Sequence, residues 1–145
     1  MDDRAAHRPA GARHPLADAR YVELTTFRRN GAAVRTPVWV AAPEDDPARL
    51  VVITVDGTGK TRRLAHTARV ELRPCTVRGV VAPDAPTVHG RATVVRDREG
   101  VARVRRAVVA KYGFQARFSD LVEAVTSRVG IHRAPRAGIV VEVDA

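Results

Sequence analysis

The sequence is short of most features that would declare a function. It has one cysteine, Cys75, so no disulfide can form within the chain, and the expectation is a reducing, cytoplasmic setting. Lysine is nearly absent: of 25 basic residues only Lys60 and Lys111 are lysines. Aromatic residues make up 4%, which leaves few flat surfaces on which nucleic-acid bases could stack. No apolar run approaches the ~20 residues that a membrane-spanning helix needs. The opening stretch MDDRAAHRPAGARHPLADAR has no hydrophobic segment of the kind a secretory signal carries; residues 1–19 read as a disordered basic lead. His66, His89 and His132 lack metal-ligand spacing. No Ser/His/Asp or paired-carboxylate arrangement can be assembled, so neither a metal ligand nor a catalytic side chain is expected.

What is present describes one globular domain, expected over residues 20–145. A length of 145 residues with 45% hydrophobic content suits a single buried core. The formal net charge of +9 attracts polyanions of any kind. The arginines, however, are spread along the whole chain rather than gathered in one run, so specific nucleic-acid binding is not the expected role. Anionic small ligands suit the charge equally well.

Periodicity supplies the architecture. In YVELTTFRRNGAAVRTPVWVAA, Tyr21, Glu23, Thr25 and Phe27 alternate with Val22, Leu24, Thr26 and Arg28, as in a half-buried strand. Asn30–Gly31 signals a hairpin because both residues tolerate positive φ. The return strand, about Val34 to Ala42, places Val34, Thr36, Val38 and Val40 on one face, and Pro37 marks an edge or a bulge. Leu50 to Val55 is continuously apolar, as in a strand covered on both faces. A short helix is expected from Lys60 to about Thr67, then strands in RVELRPCTVRG and DAPTVHGRATVV. Two helices follow: one with the stripe Val101, Val104, Val108 and Tyr112, stopped by Gly113, and one around Phe118 to Val129 capped by Ser119 or Asp120. A last strand covers Ile139 to Val143. The order β-β-β-α-β-β-α-α-β predicts a mainly antiparallel α+β fold, a small barrel with helices packed outside it.

The stretch LVVITVDGTGKTRRLAHTARV raises the question of a nucleotide-binding loop. That motif needs G-x-x-x-x-G-K-[ST]. Gly59, Lys60 and Thr61 would end it, but Thr54 stands where the first glycine is required, and only Asp56 to Gly59 are free to turn. The loop is too short. A strand, a glycine-rich turn and a helix start bearing Lys60 still direct N–H groups and positive charge at one point, so a phosphate there remains an expectation.

Five blocks, YVELTTFRRNGAAVRTPVWV, GTGKTRRLAHTARVEL, RPCTVRG, VHGRATVV and VRRAVVAKYG, in this order and spacing, resemble the split β-barrel flavin and deazaflavin oxidoreductases. This is the pyridoxamine 5'-phosphate oxidase-like superfamily, and in particular its actinobacterial branch using coenzyme F420. The similarity runs from about Arg20 to Val143. It implies a homodimer with two cofactor grooves at the subunit interface. It also implies that the backbone of Thr36, Pro37, Val38 and Trp39 meets the deazaflavin ring. Thr54, Gly59 and Lys60, with Arg62 or Arg63, would hold the phosphate and the acidic tail of the cofactor. Lysine serves a phosphate as a compact charge, and arginine matches carboxylates bidentately. The activity implied is F420H2-dependent reduction of an unsaturated or conjugated small molecule such as a quinone, enone or tetrapyrrole. The alternatives are the same chemistry with FMN, or a binding protein that carries a cofactor or another anion without turnover. By type alone Trp39 suits the core or an interface. Arg62 and Arg63 are adjacent on a helix, so at least one faces solvent. The family's helix often ends in Asn-Pro where this chain has Thr67-Ala68.

Overall fold

A computed structural model describes residues 11–113 and 135–144. Six antiparallel strands form one curled sheet: β1 (Tyr21–Phe27), β2 (Ala33–Val38), β3 (Leu50–Val55), β4 (Arg69–Cys75), β5 (Val88–Val95) and β6 (Arg136–Val143). Their spatial order is β2-β1-β4-β5-β6-β3. The two ends of this order meet where the chain leaves β2, because Ala41 forms an isolated antiparallel bridge with Val51 of β3. The result is a split barrel. Two helices among the described residues accompany it, α1 (Gly59–Leu64) and α2 (Arg98–Tyr112). The expected second late helix, around Phe118 to Val129, lies outside the described residues.

Alternation decides the faces. Val22 and Leu24 of β1, Val38 of β2, Leu50 and Val52 of β3, Val70 and Leu72 of β4, and Ile139 and Val141 of β6 fill the interior with Leu64 of α1. The opposite face of β3 and β6 is covered by α2, whose Val104, Ala107, Val108 and Tyr112 pack with Ala41 and Val51. This is why β3 reads as a continuous apolar run. Val104, Val108 and Tyr112 of the expected stripe are buried with Ala107, while Val101 stands outside the packed cluster. Asp97 opens the helix by accepting from Gly100 N–H at 2.8 Å, and Gly113 closes it at φ 53.

Three local expectations change. The first hairpin is not a two-residue turn with positive φ at Asn30 and Gly31. Gly31 N–H bonds back to Arg28 C=O at 2.9 Å, and Gly31 alone of the pair has positive φ, at 86°. This is a turn followed by a left-handed glycine. Asn30 contributes its side chain instead, accepting from Ala32 N–H at 2.9 Å. Strand β2 ends at Val38 rather than Ala42, because the chain there changes partners from β1 to β3. Part of the expected lead has regular structure. Pro15–Asp18 form a 3-10 turn, with Leu16 and Ala17 buried in the main core. Two apolar residues among charges and prolines are too weak a signal to show this in sequence.

Candidate functional site

The turn from β3 into α1 is held by its own side chains. Asp56 accepts from Gly57 N–H at 2.8 Å and from Arg96 Nε at 2.7 Å. The bond from Arg96 is the main cause holding the Asp56 carboxyl below the ordinary aspartate value. Thr61 Oγ1 accepts from Gly57 N–H at 3.1 Å and donates to Thr58 C=O at 3.0 Å. Thr58 caps α1, yet its own hydroxyl is buried and has no partner among the described residues.

Above this turn lie two cations. Arg63 Nε donates to Thr26 Oγ1 of β1 at 2.5 Å. Its guanidinium folds back over the start of the helix, so that a Cβ on Gly59 would stand 2.5 Å from Nη1. A side chain at Gly59 would have to displace this guanidinium, and no unusual φ is needed there. Lys60 is half-buried and makes no hydrogen bond or ion pair among the described residues. Burial, then the charge of Arg63, hold its ammonium below the ordinary lysine value. Burial and the nearby Arg28 likewise lower Arg63. Since α1 has only six residues, most of the positive field comes from these side chains rather than from the helix. Arg62 is exposed and makes no contact with Thr26.

Strand β2 approaches the same end of the barrel. Thr36 lies opposite Leu24, and Val34 opposite Thr26, so Thr36 and Thr26 are diagonal neighbours on the inner face. Thr36 Oγ1 is likewise buried with no partner among the described residues. Pro37 lies opposite Glu23 in an unbroken register. A residue with no N–H fits there only if its nitrogen points away from β1. The register thus makes Pro37 an edge residue, not a bulge, and turns its carbonyl to the edge of β2 that pairs with no strand among the described residues. Val38 is buried in the core. The Trp39 ring stacks one face on Tyr112 with centroids 4.5 Å apart. Thr54 faces inward from β3, opposite Ala137.

The structure therefore groups Gly59, Lys60 and Arg63, places Thr36 nearby across β1, and leaves Arg62 apart. Three contributors escaped the sequence reading: Thr26, which orients Arg63; Arg28, which adds positive field; and the Thr58 hydroxyl. The strand alternation put Thr26 and Arg28 on the inner side, which was the available signal. Two half-buried cations without an anion among the described residues, with hydroxyls unpartnered among them, suit a phosphate joined to a larger polar group. The donor set therefore fits a flavin or deazaflavin nucleotide. Among the described residues no three His, Cys, Asp or Glu side chains could hold a metal, and no helix is long and apolar enough to cross a membrane.

Comparison with known proteins agrees with the architecture. A family model described as pyridoxamine 5'-phosphate oxidase matches residues 10–144. No curated protein matches the chain in sequence. Among solved structures, an F420 reductase superposes with a TM-score of 0.52 at 20% identity, over 95% of this chain and 97% of that one. A conserved hypothetical protein from Mycobacterium tuberculosis gives a TM-score of 0.58 at 18% identity, covering 92% and 83%. An FAD-binding protein from Mesorhizobium loti gives 0.57 at 16% identity, covering 90% and 83%. At such identities these likenesses speak for the fold.

Proposed function

The chain belongs to the pyridoxamine 5'-phosphate oxidase family, and from that footing we propose that it is an oxidoreductase using coenzyme F420. In this reading F420H2 serves as the hydride source for an unsaturated or conjugated acceptor such as a quinone, enone or tetrapyrrole. The observation that carries the proposal is the half-buried Lys60–Arg63 pair, whose charges meet no anion among the described residues. Lys60 binds the phosphate. Arg63, aimed by Thr26, reaches the phosphate or the first carboxylate of the acidic tail, and Arg62 meets the tail further out. The hydroxyls of Thr36, Thr54 and Thr58 complete the polar lining. The free edge of β2 from Thr36 to Trp39 presents backbone groups to the ring, with Val38 anchoring the strand in the core. A bound cofactor of this kind supplies the redox chemistry itself. The chain's own task is to position it and to keep water from its face. We further infer a homodimer, with the groove completed across the subunit interface.

FMN in the same groove is the second reading, favoured by the FAD-binding protein among the similar structures. Titrating the purified protein with F420 and with FMN separately, after recording the absorbance and mass of any co-purified chromophore, decides between them. F420 binding with the weaker response to FMN is the expected result. Tight FMN binding without F420 binding overturns the preference, and binding of neither overturns the oxidoreductase reading.

A further inference from the structure

Val40 sits where the chain has left β2 and has not yet bridged to β3, and it is fully buried. Its peptide groups belong to no ladder and must be satisfied within the protein. The last two residues of α2 supply the partners. Val40 N–H donates to Tyr112 Oη at 3.1 Å, and Val40 C=O accepts from Lys111 Nζ. The same two side chains also hold the approach to β1. Lys111 Nζ donates to Ala19 C=O, and Tyr112 Oη donates to Arg20 C=O at 2.9 Å. The Tyr112 ring stacks on Trp39 with an interplanar angle of 11°. One helix end thus fastens the corner at Trp39–Val40 to the start of β1.

We propose that Lys111 and Tyr112 are positioning residues for the Thr36–Trp39 edge, a role that rests on the cofactor reading above, and that the charge state of Lys111 adjusts this hold. The geometry supports the first half. Trp39 is the residue next to Val40, and its ring and following peptide are both gripped from α2. A displacement at this corner is carried directly into the strand end. For the second half, burial and then the charge of Arg13 lower the Lys111 ammonium to about 8, with Asp18 acting in the opposite direction. Lys111 also lies 4.8 Å from the Tyr112 ring centroid. It borders a cavity of about 810 Å³ whose other charged groups are Arg13, Glu44, Asp45, Arg103 and Arg106. Arg13 is paired with Asp18 and Arg103 with Asp45. Tyr21 and Arg20 act on Tyr112 from β1 and its approach. The cavity gives water access to the amine. A neutral amine makes hydrogen bonds about half as strong as an ammonium does, so deprotonation slackens the grip on Val40 and Ala19.

Trp39 is the sole tryptophan and reports on the corner directly. Its emission in cofactor-free protein should change across a transition centred near pH 8. That transition should vanish in Lys111→Met and also in Lys111→Arg, whose charge does not titrate. Tyr112→Phe, which keeps the stack and removes the hydroxyl, should weaken cofactor binding on the order of five- to ten-fold, the loss of about one net hydrogen bond. Lys111→Met should weaken it similarly and abolish the component of binding that changes near pH 8. A Trp39 signal that is flat through this range, or that persists unchanged in Lys111→Arg, overturns the charge-dependent hold. Unchanged affinity in both Tyr112→Phe and Lys111→Met overturns the positioning role. Should Lys111→Met fail to fold, Lys111→Arg and Tyr112→Phe still decide. The emission experiment needs no cofactor, so wild-type protein that binds neither F420 nor FMN sinks the functional reading separately.

Discussion

Lys60 is charged, half-buried and within the field of Arg63, with no ion pair to either among the described residues. Its folded pKa lies below the ordinary lysine value. The stability it contributes is therefore fully present above that ordinary value and is lost as pH falls through the lowered one. At neutral pH the ammonium is a cost that an anionic ligand would offset. Replacing Lys60 by Ala should weaken cofactor binding by about 1.5–3 kcal/mol, measured by titration. The urea midpoint of the ligand-free protein should stay within about 0.5 kcal/mol or rise slightly. An unchanged dissociation constant would make Lys60 an ordinary solvated lysine. The same sign applies to Lys111, lowered from 10.5 to about 8: wild type should gain stability over Lys111→Met as pH rises between those values. Taking the difference matters because Cys75 and Tyr112, both raised by burial first, lose stability as pH rises. The sequence named Lys60 with Arg62 or Arg63 for the phosphate and tail, but not which arginine. Nothing in adjacent arginines tells which one finds Thr26, since that hydroxyl is 37 positions away.

At the scale of elements, strands and helices were legible wherever one face meets the core and the other does not. The bounds of β3, the stripe on α2 and its stop at Gly113 follow from periodicity and one left-handed glycine. The corner at Trp39–Val40 was not legible, because its partners on α2 lie 71 and 72 positions away. Glycines packed between elements were equally silent. A Cβ on Gly138 of β6 would lie 2.7 Å from methyls of Val104 and Val95, beneath α2. A Cβ on Gly90 of β5 would lie 2.7 Å from the backbone oxygen of Glu142. Valine side chains can turn aside, whereas a strand carbonyl can move only with its strand. Gly138→Ala should cost about 1–3 kcal/mol, the usual range for overpacking, and Gly90→Ala should cost more. Chemical denaturation of the two variants tests the order. Equal midpoints for wild type and Gly90→Ala would show that β5 and β6 separate more easily than their register implies.

Across the whole molecule, part of the charge of +9 is held in local pairs. Arg73 holds the buried Glu23 at 2.6 Å, Arg49 reaches Glu142 at 2.6 Å, and Arg96 and Arg103 hold Asp56 and Asp45. Such pairing commits these arginines to the fold's own carboxylates, while the Lys60–Arg63 region has no counter-charge among the described residues. The two classes of anionic partner then separate by salt. DNA binding driven by the overall field releases counterions, so its affinity should fall with a log–log slope of about −0.9 per phosphate contacted. It should be weak at low salt and largely gone where screening acts beyond roughly 8 Å. Cofactor binding should persist under those conditions, because the half-buried Lys60 and Arg63 are screened much less than exposed charges, and ring contacts are apolar. A salt series with labelled duplex DNA, F420 and FMN on one preparation measures all three. Sub-micromolar DNA binding at physiological salt, with neither F420 nor FMN held, would mean that the positive cluster serves a polyanion and that the oxidoreductase proposal fails.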